Sequence, residues 1–159
     1  MKKIKLLLSS LLLVSVFNIP LFASNQMITL IKTYQKAKKF EDLVPEKAKQ
    51  YYSKIFTIAK EMIEKRPKNP TINFVLAKCY LQGYGTDKDF QKAYKYFKKS
   101  YKFGNRTALC GLTIAAWKSN QPSEIQIDLY KKLKNLEEIY KTCKQKPIFL
   151  KLEKELEKK

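Results

Sequence analysis

Residues 72–108 hold the feature that most narrows what this chain can fold into. There Leu76, Tyr80, Gly83, Gly85, Asp89, Lys92, Ala93, Gly104 and Ala108 are spaced as L-x3-Y-x2-G-x-G-x3-D-x2-K-A-x10-G-x3-A. Leu76 and Tyr80 sit four apart, on one face of a helix. Gly83 and Gly85 end that helix and allow the positive φ of a tight turn. Asp89 opens a second helix, where its carboxylate accepts free amide hydrogens and favours the dipole. Ala93 is small enough for two helices to approach, and Gly104 ends the second before a third begins at Asn105. The spacing predicts a helical hairpin feeding into another, a unit that cannot bury its apolar face alone.

These nine positions resemble, in register, the Sel-one-like repeat, a variant of the tetratricopeptide repeat of about 36 residues. The family usually has a valine after the second glycine and two alanines before the last one. Thr86, Ser100 and Tyr101 stand in those places, and Tyr101 needs more room. The resemblance covers about a quarter of the chain. It implies an all-α, right-handed α-solenoid of about three hairpins plus a C-terminal capping helix. It also implies a scaffold for binding rather than for chemistry.

Met1–Ala23 reads as a secretory signal: Lys2, Lys3 and Lys5 form the basic start and 6–17 the apolar run, with Leu21, Phe22 and Ala23 before the cut. An uncleaved anchor is disfavoured, because the run falls short of the roughly 20 residues needed to span and Asn18 and Pro20 interrupt it. The expectation is a periplasmic protein, exported by a signal over 1–23, with a single repeat domain over 24–159. The net charge of +19 would suit a nucleic-acid binder, but the only arginines are Arg66 and Arg106. Phosphate and base recognition favours arginine forks, and an exported chain seldom meets nucleic acid, so no nucleic-acid partner is expected. The lysine excess has two open readings: the composition of an AT-rich genome, or an anionic partner.

The chain has no histidine, which removes histidine acid–base chemistry and the common zinc sites. Cys79, Cys110 and Cys143 lack any C-x-x-C spacing, so neither a metal site nor a cofactor is expected. One pair plus a free thiol, or three buried thiols, both remain open. In the repeat register Cys79 precedes the packing tyrosine by one residue and Cys110 precedes the packing leucine by two. They differ by five helical positions and are expected not to be joined. Cys110 with Cys143 would require the later helix to fold back closely.

Along the chain, Met27, Leu30, Ile31 and Tyr34 mark a first helix over 24–40. Pro45 fits the first turn of a helix to about Lys65, with Ala48, Tyr52, Ile55, Ala59, Met62 and Ile63 inward. Asn69 and Pro70 suit the cap and first position of the next. Ser123 and Gln126 read as a capping box opening one helix to about Lys144, and Pro147 as the start of a final amphipathic helix.

In the resembled family the first helices of the hairpins line a concave groove. That spacing transfers to Phe74 and Lys78, to Cys110, Ile114 and Trp117, and more weakly to Ile28 and Lys32. The candidate partner-binding residues are therefore Phe74, Lys78, Ile114, Trp117 and Lys32. The aromatics would be anchors and the lysines would hold a carboxylate of a peptide segment from another exported or envelope protein. The opposing reading packs Phe74 and Trp117 between hairpins. Lys92, Lys95, Lys99 and Lys102 form a basic stripe that reads either as a solvated face or as a contact for an anionic envelope surface.

No catalytic set is visible. Glu61 and Glu64 share a helix turn rather than facing across a cleft, and no serine heads an S-x-x-K. A cysteine-rich branch of the family is associated with β-lactam binding or hydrolysis, but its regular short cysteine spacing is missing here. The expectation is a non-catalytic protein–protein interaction adaptor. An envelope-associated structural or immunity-type protein that binds an anionic surface or a toxin is the alternative, and a β-lactam-binding or β-lactam-hydrolysing repeat protein a distant third.

Overall fold

The computed structural model describes residues 25–158, and the proposed signal lies outside them. Among the described residues the fold is all-α. A first helix, α1, covers 25–40. It is followed by α2 (Pro45–Lys65), α3 (Pro70–Gln82), α4 (Phe90–Lys102) and α5 (Ala108–Lys118). Then come α6 (Ser123–Lys134), α7 (Glu137–Lys144) and α8 (Pro147–Leu156). None of these helices is long and apolar enough to cross a membrane. The chain divides into two compact units between Tyr51 and Tyr52, inside α2.

In the first unit, α1 buries Leu30, Thr33 and Ala37, while Met27 and Tyr34 are half-buried and Ile31 is exposed. The buried stripe is thus turned by part of a helical step from the one the apolar residues alone mark out. Thr33 is the reason it can turn: its hydroxyl donates back to the Thr29 carbonyl at 2.7 Å, which satisfies it inside the stripe.

In the second unit α3 packs on α4, α4 on α5 and α5 on α6. The helix ends follow from local chemistry. Asn69 caps α3 by accepting from the Ile72 amide at 3.0 Å, with Pro70 at the first position. Asp89 caps α4 by accepting from the Lys92 amide at 2.8 Å. Gly83 takes φ 77° to close α3, and Gly85, at φ 69°, lies so close to α2 that a Cβ would come within 2.6 Å of the Ser53 Cα. Tyr84 of the same turn stacks on Tyr52, centroids 3.7 Å apart.

Leu76, Tyr80 and Ala93 are buried, as their spacing predicts, and Ala77 and Phe97 are buried beside them. The substituted Ser100 is wholly buried too, and its hydroxyl donates to the Pro70 carbonyl at 2.8 Å, tying α4 to the first turn of α3. Gly111 lets the Phe97 ring lie against α5, since a Cβ there would meet the ring at 2.4 Å.

Three expectations are corrected. The third helix begins at Ala108 rather than Asn105, because 105–107 form a turn in which the Thr107 hydroxyl donates to the Asn105 side chain at 2.6 Å. Ser123 does not cap α6; the helix starts at Ser123 itself, and Gln126 donates to the Gln121 carbonyl at 2.5 Å. The long helix to Lys144 is broken at Asn135 and Leu136. A straight helix would carry Cys143 about 15 Å beyond Leu133. The break instead lets α7 turn onto α5, and Cys143 is joined to Cys110 across a Cα separation of 5.8 Å. Cys79 is free and buried, so Cys79 and Cys110 are not joined.

Candidate functional site: a lysine–tyrosine groove

The residues proposed for a concave groove do not form one open surface. Ile114 is 3% exposed and belongs to the core. Phe74 is half-buried with its ring edge-to-face on Phe97, centroids 5.7 Å apart, and the Lys78 ammonium lies 5.8 Å from the same Phe74 ring. Trp117 is also half-buried, and its indole N–H donates to Glu155 of α8 at 2.8 Å. The face of α5 that a partner would need is therefore partly covered by the chain's own last helix. Lys32 is exposed on α1, in the other unit. Burial, with the charge of Lys78 adding to it, pulls the Lys146 ammonium below the usual lysine range, and its Nζ lies 3.1 Å from the Cys110 sulfur.

A different arrangement holds open volume. Lys60 of α2, Tyr80 of α3 and Tyr96 of α4 line a cavity of about 490 Å³, together with Lys92, Lys95 and Lys99. Lys98 and Lys102 complete its wall. The volume falls in the range of about 300–1,000 Å³ usual for ligand sites. Tyr80 builds the floor. Its ring meets Phe56 of α2 edge-to-face at 5.5 Å and stacks on Tyr96 of α4 at 5.7 Å, so it spans the two helices. It is 6% exposed, whereas all six lysines are exposed. The floor is aromatic and recessed, and the rim is cationic.

The electrostatics are one-sided. α4 carries five lysines and no acidic residue, and no Asp or Glu occurs from Phe90 to Ser123. Asp89 pairs with Lys92 at 2.9 Å at the groove's end, raising the Lys92 pKa and lowering its own. Lys92 also sits 5.3 Å from the Tyr80 ring and Lys99 5.8 Å from the Tyr96 ring, so the rings help to accommodate both cations. Like charges one turn apart disfavour the helix, and a stripe answered by a single acid at one end is consequently poised to take up an anion.

The lysine stripe is visible in the sequence, but the part played by Lys60, Tyr80 and Tyr96 is not, because these join it only through packing between α2, α3 and α4. The sequence signal that singles out this face is the absence of acids through 90–123. Comparison with family models, with curated proteins and with solved structures returns no match.

Proposed function

We propose that this chain is an exported, non-catalytic protein–protein interaction adaptor of the Sel-one-like, tetratricopeptide-like kind. In this reading a signal over 1–23 sends a single repeat domain, 24–159, to the periplasm. There a right-handed stack of about three hairpins with a terminal capping helix presents a recognition surface to another envelope protein. The observation that carries the reading is the lysine–tyrosine groove, a cationic rim over an aromatic floor, lined by residues of α2, α3 and α4. Its residues offer charge and apolar contact, the two ingredients of a binding surface. None is paired with a second activatable group in the manner of a nucleophile and base. The exposed lysines equally favour the alternative, adhesion to an anionic envelope surface.

The test is retention of envelope proteins by the immobilised chain at rising ionic strength. Binding should weaken steeply with salt, fall at least tenfold in Lys60→Gln/Lys95→Gln/Lys99→Gln, and survive Trp117→Ala. Loss of binding in folded Trp117→Ala or Phe74→Ala, with the lysine variant unaffected, would move the site to the α3–α5 face. N-terminal sequencing that found residues 1–23 intact on cytosolic protein would overturn export.

A further inference from the structure

We infer that the groove is built for an extended acidic segment of a partner polypeptide, one in which carboxylates alternate with apolar side chains. The inference rests on the proposed binding role of that groove and adds the chemistry of its occupant.

Length is the first constraint. From Lys92 to Lys102 is ten residue steps along α4, about 15 Å of helix. An extended chain rises about 3.3 Å per residue, so about five residues match the stripe. Alternation follows from the section of the groove. Successive side chains of an extended segment point to opposite sides. With one set lying on Tyr80 and Tyr96, the other is lifted to the rim, where Lys60 stands on α2 and Lys95 and Lys99 on α4. Apolar groups suit the rings and carboxylates suit the ammonium groups.

Other anions fit less well. A phosphate polymer has no apolar group to cover the stacked rings, and the groove holds no arginine fork for it. A flat anionic bilayer would meet the lysines but cannot reach Tyr80 on the floor, at 6% exposed.

The experiment is fluorescence anisotropy with the protein expressed behind its own leader and purified. The probes are a labelled peptide of alternating Glu and Phe, an all-Glu peptide of equal length, inorganic polyphosphate, and phosphatidylglycerol-containing vesicles. The alternating peptide should bind about tenfold more tightly than all-Glu, since the rings supply the added contact. Tyr96→Ser should remove that preference while leaving the salt-dependent part, and Lys95→Gln/Lys99→Gln should weaken both peptides. Equal affinity for the two peptides, or tighter binding of polyphosphate, overturns the alternating-segment inference yet leaves the groove as an anion site. Preferential capture by vesicles overturns it in favour of surface adhesion. If none of the probes binds, or if binding ignores the lysine changes, the groove reading falls as well.

Discussion

Lysine is abundant in both α4 and the C-terminal helices, but the two regions use it in opposite ways. On α6 and α7 lysines answer acids one turn away: Lys132 meets Asp128 at 2.6 Å and Lys141 meets Glu137 at 2.7 Å. On α4 five lysines stand without an acid in the helix. A genome-wide bias towards lysine explains the first region and leaves the second unexplained, because bias alone does not strip acids from one face. The C-terminal helices are also fastened in ways α4 is not. Cys143 ties α7 to α5. Buried Glu153 of α8 accepts hydroxyl hydrogen bonds from Tyr130 of α6, at 2.9 Å, and from Tyr140 of α7. The Lys144 ammonium lies 3.7 Å from the other oxygen of that carboxylate. One region is locked and charge-balanced, the other open and charged.

The largest expected effect cuts the lock. Replacing Cys110 and Cys143 together by serine releases a loop closed over a separation of 33 residues and should cost about 3–4 kcal/mol. Amide exchange should quicken in α7 and α8 and stay slow in α3 and α4. Equal acceleration in both would mean that the two regions are not energetically separate.

Next is Glu153→Gln, expected to cost about 1–3 kcal/mol by weakening hydrogen bonds to a buried carboxylate. Burial pushes the Glu153 carboxyl up, but the Tyr140 and Tyr130 hydroxyls and Lys144 outweigh it and hold it below its ordinary value. In the window between the lowered and the ordinary carboxylate pKa the unfolded chain binds more protons. The stabilisation is therefore full above the ordinary value and disappears as pH falls through the lowered one. Urea midpoints measured down the acid limb should fall less steeply in Glu153→Gln than in the natural chain. An unchanged slope would remove Glu153 from the lock.

The smallest effect has the sharpest sign. Lys95→Gln/Lys99→Gln relieves like-charge repulsion and should raise stability by about 0.2–0.5 kcal/mol per pair removed. Lys132→Gln/Lys141→Gln breaks favourable pairs and should lower stability slightly. Thermal melts at low salt would show the opposite shifts, and added salt should shrink both. Shifts of the same sign would erase the contrast.

What the sequence reveals follows the range of the interactions. The ends of α3, the start of α4 and the start of α8 are legible, because Asn69 with Pro70, Gly83, Asp89 and Pro147 act on backbone within a few residues. Leu76, Tyr80 and Ala93 are legible as core through their spacing. The break at Asn135 and Leu136 is not, since the apolar repeat runs straight through it. What interrupts the helix is the demand on Cys143 and Tyr140 from α5 and α8, elements distant in the chain. Tyr130 and Glu153 lie 23 residues apart and meet by packing alone. Of the candidate site, the lysine stripe is legible and its tyrosine floor is not. Repeat spacing assigns Ile114 to a groove, yet it lies in the core.

The burial of Cys79 bears on how the chain keeps its one bridge. Three cysteines allow three pairings. In the folded chain Cys79 is 1% exposed, and burial drives its thiol to a pKa of about 12 despite the charge of Lys78. The thiolate is the species that attacks a disulfide, so at neutral pH Cys79 is withdrawn from exchange both sterically and chemically. Burial of one thiol thus guards a bridge elsewhere: in the folded chain the two pairings that involve Cys79 are closed to exchange, and Cys110 stays joined to Cys143.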